Sequence, residues 1–369
     1  MPLRRLQLAL CLALFAAGCG SAQVSSPLPP AEPLGSGAGS LEDVNAGRLH
    51  YDKYCKLCHA AEGKGYAADN ANALSNAEFL STADDGFLYV AIDRGRPGTP
   101  MAAYGRPRGG PLAPKTIDQI IAYLRSLQTK PSVDVDSRRV TGDPVAGKFV
   151  YDDSCASCHG QKGEGTTAIS LNHPVFLGTA SDGYLRYAIE HGRSGTAMPP
   201  FAGDLTPSQI DDVTRYLRSF ARSQDALSGD AVAVGEVPPT FERIVINPEG
   251  PAPEFPPLRD GRYLAAEAIN DALLAGKRMV LLDARPTSDW LLSHIPGAIP
   301  VPYYAPDKIV DALPRDGTWI IAYCGCPHAA SGRVMDTLRD RGFKNTAVLD
   351  EGVFHWMAKD YPLTFGAER

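Results

Sequence analysis

The chain has 369 residues, of which 44% are hydrophobic and 21% charged, the composition of ordinary globular material with apolar residues for two or three real cores. The formal charge is −6, and lysine and arginine are scattered singly. No basic stripe is present to neutralise phosphates, which argues against nucleic acid as a partner.

At the N-terminus Arg4 and Arg5 precede an apolar run from Leu6 to Phe15, and the small residues of AAGCGS follow. The run is too short for a spanning helix, and its charged start and small-residue exit read as an export signal over residues 1–18. The same residues resemble a bacterial lipoprotein signal, with Ala16 where leucine is more usual. That resemblance implies lipidation of Cys19 as the first mature residue, anchored stably by several acyl chains. An ordinary secretory signal is the alternative. In either case the chain is expected to be exported to the periplasmic side, and Gly20 in place of an aspartate implies attachment to the outer membrane. Residues 19–41, with SSPLPPAEPLGSGAGS, are expected to be a tether.

The chain then repeats itself. AGRLHYDKYCKLCHAAEGKG at Ala46 returns as AGKFVYDDSCASCHGQKGEG at Ala146, an offset of 100, which falls to 97 at Met101 and Met198 and to 93 at Leu112 and Leu205. The lost residues fall in Gly/Pro-rich loop positions, so two copies of one domain are expected, at 42–130 and 142–224. Helical periodicity marks the start of each copy (Ala46 to Cys55, Val145 to Cys155) and its middle (Asp84 to Arg94, Ser181 to His191). At the end, Thr116 and Ser208 are placed to cap IDQIIAYLRSL and IDDVTRYLRSF. An all-α domain this small needs a large buried group or a cross-link.

CKLCH (Cys55, Cys58, His59) and CASCH (Cys155, Cys158, His159) point to that group. Cysteines three apart on the first helix can form thioethers to both vinyl groups of one porphyrin, while the next histidine meets the iron. A lone motif could be a redox thiol pair, but two at matching places in an exported repeat predict two covalently bound haem c groups. Of six methionines only Met101 and Met198 lie in the repeats, after RPGTP and RSGTA. These sites resemble the axial-methionine loop of class I c-type cytochromes, MPPF at Met198 more closely than MAAY at Met101. By elimination and by that resemblance the axial pairs are His59 with Met101 and His159 with Met198; core filling is the alternative for either methionine. His50, His173 and His191 have no counterpart in the other copy and are expected at the surface. Six-coordinate iron leaves no position for substrate, so electron transfer is expected. Arg96 and Arg193 recur before the methionines, as propionate partners or as solvated side chains.

A proline-rich linker is expected over 225–257, with VPPTF and NPEGPAPEFPPL. From 258 to 369 the pattern alternates: a helix at AAEAINDALLAG, strands at RMVLLDAR and GTWIIAYC, a helix at SGRVMDTLRDRG and a strand at TAVLD. This implies a parallel sheet covered on both faces. LLDARPTSDWLLSHIPGAIPVPY and YCGCPHAASGRVMDTLRDRGFKNTAVLDEGVFHW resemble the rhodanese family across the segment. The expected whole is therefore multidomain: two all-α cytochrome c domains followed by an α/β rhodanese-like domain with a parallel sheet.

The resemblance gives Cys324 the position of the family's persulfide-carrying nucleophile, with a helix behind it to lower its pKa. Ala329 replaces the family's arginine and the first cation is Arg333, so a dianion lacks its usual partner. Among eight cysteines, Cys324 and Cys326 alone have no other assignment. They could close a reducible disulfide, pass a persulfide between sulfurs, or bind a soft metal with His328; the domain could also be a silent binding module. Two functions remain open. One is an electron carrier between periplasmic or membrane redox proteins, linked to sulfur compounds through its last domain. The other is a sulfurtransferase or sulfur-oxidising enzyme that uses Cys324 persulfide with the haems as acceptors.

Overall fold

The structure, a computed structural model, describes residues 39–68, 70–135, 139–222, 244–325 and 328–368. The described residues all belong to one compact unit. The expected export signal, Cys19 and Cys326 lie outside the described residues.

Each repeat is built on two long helices: Leu41–Tyr54 against Pro114–Ser126 in the first, Pro144–Ser154 against Pro207–Arg222 in the second. A glycine sets each crossing. A Cβ on Gly47 would stand 1.8 Å from the Gln119 carbonyl oxygen, and one on Gly147 would stand 2.0 Å from that of Asp212, so only glycine lets the backbones meet this closely. The middle helices, Asp85–Arg94 and Asp182–His191, are capped by Asp84 and Ser181, which accept from Phe87 N at 2.6 Å and Tyr184 N at 3.0 Å.

Three details differ from expectation. The last helix of each repeat begins earlier, on Pro114 and Pro207, so Thr116 and Ser208 lie inside it; proline at the first helical position lacks only a hydrogen bond that would not be made anyway. In the second repeat Thr206 and Gln209 cap each other's backbone N–H at 2.9 and 3.3 Å. The first helix of each repeat ends at the first haem-motif cysteine, and Lys56–His59 and Ala156–His159 form separate single turns. Finally, His173 is buried: its ring caps the short helix Pro174–Thr179 and donates from Nε2 to the Pro97 carbonyl of the other repeat at 3.0 Å.

The repeats share one apolar cluster, in which the Phe87 and Tyr184 rings stack at 5.1 Å. Polar contacts frame it. Glu78 accepts from Ser194 N and Oγ at 3.1 and 2.7 Å, and Asn76 donates to the Ser194 carbonyl at 2.9 Å.

The C-terminal domain holds a five-stranded parallel sheet of β1 (Tyr263–Leu264), β2 (Met279–Asp283), β3 (Ile299–Pro300), β4 (Trp319–Tyr323) and β5 (Thr346–Leu349), in the order β1-β5-β4-β2-β3. Alternate residues of β4 enter different cores: Ile320 and Ala322 one, Ile321 and Tyr323 the other. The three central strands match the expected runs; the two-residue edges β1 and β3 are too short to carry a period. Residues 244–257, expected as linker, pack on the domain. Ile246 exchanges backbone hydrogen bonds with Met279, and the Phe255 ring meets Trp319 edge-on at 5.4 Å. No described helix is long and apolar enough to cross a membrane.

Candidate functional site

Two cavities, one per repeat, gather the expected side chains. Cys55, Cys58, His59, Arg96 and Met101 line the first; Cys155, Cys158, His159, Arg193 and Met198 line the second. His59 Nδ1 lies 2.9 Å from the Asn72 carbonyl and His159 Nδ1 lies 2.8 Å from that of Ile169. A carbonyl only accepts, so Nδ1 carries the proton and Nε2 is left with its lone pair. Burial lowers both imidazole pKa values, which favours the neutral, ligating form. It also pushes Cys55 up to about 12 and Cys155 to about 11, so neither is poised as a reactive thiolate, which weighs against a redox thiol pair.

The methionine loops are built alike. Thr99 Oγ donates to the Arg96 carbonyl at 2.8 Å and accepts from Met101 N at 3.2 Å; Thr196 does the same between Arg193 and Met198 at 2.7 and 3.2 Å. Tyr51 and Tyr151, both fully buried, secure the far side by donating to the carbonyls of Ala60 and Gly160 at 2.8 and 2.7 Å. The cavities also share a wall. Asn72, Phe79, Ala168 and Ile169 line both, and two of these are the residues whose carbonyls hold the histidines.

The third cluster lies at the carboxyl edge of β4. Cys324 is buried, with Sγ 3.2 Å from Ser331 Oγ in the helix Ala329–Asp340. His328 precedes that helix at φ +86°, a left-handed conformation uncommon outside glycine. It is held there: Nε2 lies 2.7 Å from the Asp350 carbonyl and its ring lies 4.0 Å from that of Tyr263, while Arg259 Nε holds the Asp350 carboxylate at 2.7 Å. Arg333 is exposed and Arg285 is committed to Asp283 at 2.6 Å. Neither replaces the arginine missing at Ala329.

The C-terminal domain seats on the first repeat. Tyr303 donates to the Tyr54 carbonyl, which obliges Tyr104 to donate to Tyr303 across 2.7 Å. Ser288 Oγ donates to the Ala103 carbonyl at 2.6 Å. Leu57, between the motif cysteines, joins the apolar cluster that includes Cys324.

Residues 42–124 and 142–217 match the family of cytochrome c oxidase, cbb3-type, subunit III, and residues 266–359 match the rhodanese-like domain. A cytochrome c6 from Thermosynechococcus vestitus is 33% identical over 88 residues, which is 23% of this chain and 77% of that protein. The chain belongs to the c-type cytochromes. A cbb3-type cytochrome c oxidase subunit CcoP from Azospirillum sp. is 29% identical over 192 residues, 47% of this chain; the matched part spans 61% of that subunit. Among solved structures, the thiosulfate sulfurtransferase from Pseudomonas aeruginosa is 30% identical over 29% of this chain and 21% of its own, with a TM-score of 0.27. With the two family matches and the parallel sheet, the fold of this cytochrome is helical at the N-terminal side and rhodanese-like at the C-terminal side.

Cytochromes of this type hold haem c covalently, and the donors present fit such a group. Each cavity has two cysteines and an imidazole Nε2 available, with a methionine among its lining residues. Burial lowers the Arg96 guanidinium pKa, and among the described residues no carboxylate pairs with Arg96 or Arg193; Arg96 lies over the Phe176 ring at 5.1 Å and Arg193 over the Tyr184 ring at 5.5 Å. Half-buried guanidinium groups of this kind suit the anionic propionates of a haem.

Proposed function

We propose that this c-type cytochrome carries single electrons through two haem c groups. Cys55 and Cys58 hold one and Cys155 and Cys158 the other, with His59 and Met101, and His159 and Met198, as axial ligands. When bound, the haem supplies reversible one-electron chemistry. The protein orients the histidines through Asn72 and Ile169 and fills the sixth position with thioether, which favours ferrous iron and leaves no site for substrate. The observation that carries this reading is the pair of like-built cavities that share a wall. It is tested by the mass of the holoprotein and by the sulfur-to-ferric-iron charge-transfer band. Two haems per chain are expected, with half the band lost in Met101→Ala and half in Met198→Ala; one haem per chain would refute the assignment.

The electrons pass between redox partners on the periplasmic side, with the chain exported and anchored at the outer membrane through lipid on Cys19. Cys19→Ser is then expected to move the protein from the membrane fraction to the soluble periplasm. In a second reading the rhodanese-like domain accepts sulfur on Cys324 and the haems remove its electrons. The seating of that domain beside the first cavity favours it. Haems left ferric by thiosulfate, sulfide and glutathione persulfide alike would end it.

A further inference from the structure

The N-terminal end of the helix Ala329–Asp340 does more than lie near the first cavity. His328 and Ala329 line it, whereas no described residue of the C-terminal domain lines the second. The clamp on His328 from Tyr263, Asp350 and Arg259 fixes this part of the wall, and the Tyr104–Tyr303 and Ser288–Ala103 contacts hold the domain in place. Leu57 links the two domains: it belongs to the first haem motif by sequence and packs, half-buried, against the apolar cluster that includes Cys324.

We infer that the first haem site is a two-domain site, and that sulfur carried on Cys324 is coupled directly to the first haem and to the second only through the first. The inference rests on the reading that Cys324 accepts sulfur. The chemical class it fits is hydrosulfide: Cys324–S⁻ + HS⁻ → Cys324–S–S⁻ + H⁺ + 2e⁻. An S–S bond forms and an S–H bond breaks. The proton leaves to water, each sulfur is oxidised by one electron, and ferric c-type haem is the oxidant. The two electrons match two one-electron acceptors in one chain, reached in order: the site walled by that helix end, then the one behind Asn72 and Ile169.

The test uses the intact oxidised holoprotein and sodium sulfide. Peptide mass spectrometry reads sulfur on Cys324. Spectroelectrochemistry and electron paramagnetic resonance read each haem, assigned through the two methionine variants. The expected result is a gain of one sulfur atom on Cys324, earlier reduction of the first haem, and, after reoxidation, a shifted midpoint for the first haem beside the added sulfur, with the second unmoved. Cys324→Ser abolishes all three while both haems stay loaded; Cys324→Ala serves if the serine variant does not fold. Sulfur on Cys324 with neither midpoint moved, or with the second moved alone, overturns the coupling and leaves the sulfur-accepting reading standing. No sulfur on Cys324 overturns both.

Discussion

The two repeats share a plan and differ where only one of them has a neighbour. Tyr54, Leu57 and Tyr104 of the first correspond to Ser154, Ser157 and Phe201 of the second. In the first repeat Tyr54 meets the Tyr304 ring at 4.9 Å, Leu57 enters the C-terminal core and Tyr104 bonds Tyr303. Ser157 is exposed. The departure of MAAY from MPPF thus has a physical reason: Ala102 and Ala103 are buried at 0% and 5% exposure, and the stretch serves as a landing surface as well as a methionine loop. The two sites are built alike, and only in the first do these positions meet the C-terminal domain among the described residues.

Six substitutions would break or sharpen that comparison. The largest effect is expected where the repeats do not differ. Gly47→Ala and Gly147→Ala each drive a methyl into a backbone carbonyl, and should cost about 3 kcal/mol apiece in chemical denaturation; unequal losses would mean the crossings are not equivalent. Leu57→Ser should cost about 1.5 kcal/mol and free the C-terminal domain to proteolysis, whereas Ser157→Leu should stay within about 0.5 kcal/mol. Tyr104→Phe, which gives the first repeat the second's residue, removes one buried hydrogen bond worth about 1 kcal/mol. Faster hydrogen exchange at the Tyr303 segment should report it, and unchanged exchange would count against the hydroxyl contact.

The smallest effect is electrostatic. Burial raises the Glu78 pKa, but hydrogen bonds from Lys130 and Ser194 outweigh it and hold the carboxyl at about 2. Because the folded value is depressed, its contribution is complete above the ordinary 4.5 and is lost as pH falls towards about 2. Contact between the repeats should loosen across that window in the wild type, and Glu78→Gln should flatten the dependence.

Much of this was legible before any coordinates. The repeat, both cysteine motifs, the paired methionines and the alternation of the last domain are local patterns, and they survive as elements and linings. The contacts between elements were not. Nothing within HPVFLGT announces that His173 reaches Pro97, and a tyrosine pair 199 positions apart has no period. Short edges such as β3 give too few residues to alternate. Yet a signal for the docking surface was present: at positions 54, 57 and 104 the first copy carries tyrosine, leucine and tyrosine where the second carries serine, serine and phenylalanine. Of the thiol loop, the sequence located Cys324 and the lack of a cation, while the clamp on His328 needed the fold.

The common wall of the two cavities bears on how such a chain can be divided. Residues 164–166 and 168–170 of the second repeat line the first cavity, while Tyr66, Asn72, Ala73, Asn76 and Phe79 of the first line the second. Each half keeps a side of the other's chamber. Cut out alone, either would lose that side of its chamber to water. The pair, then, and not the single domain, is the smallest piece that carries both sides of the shared wall.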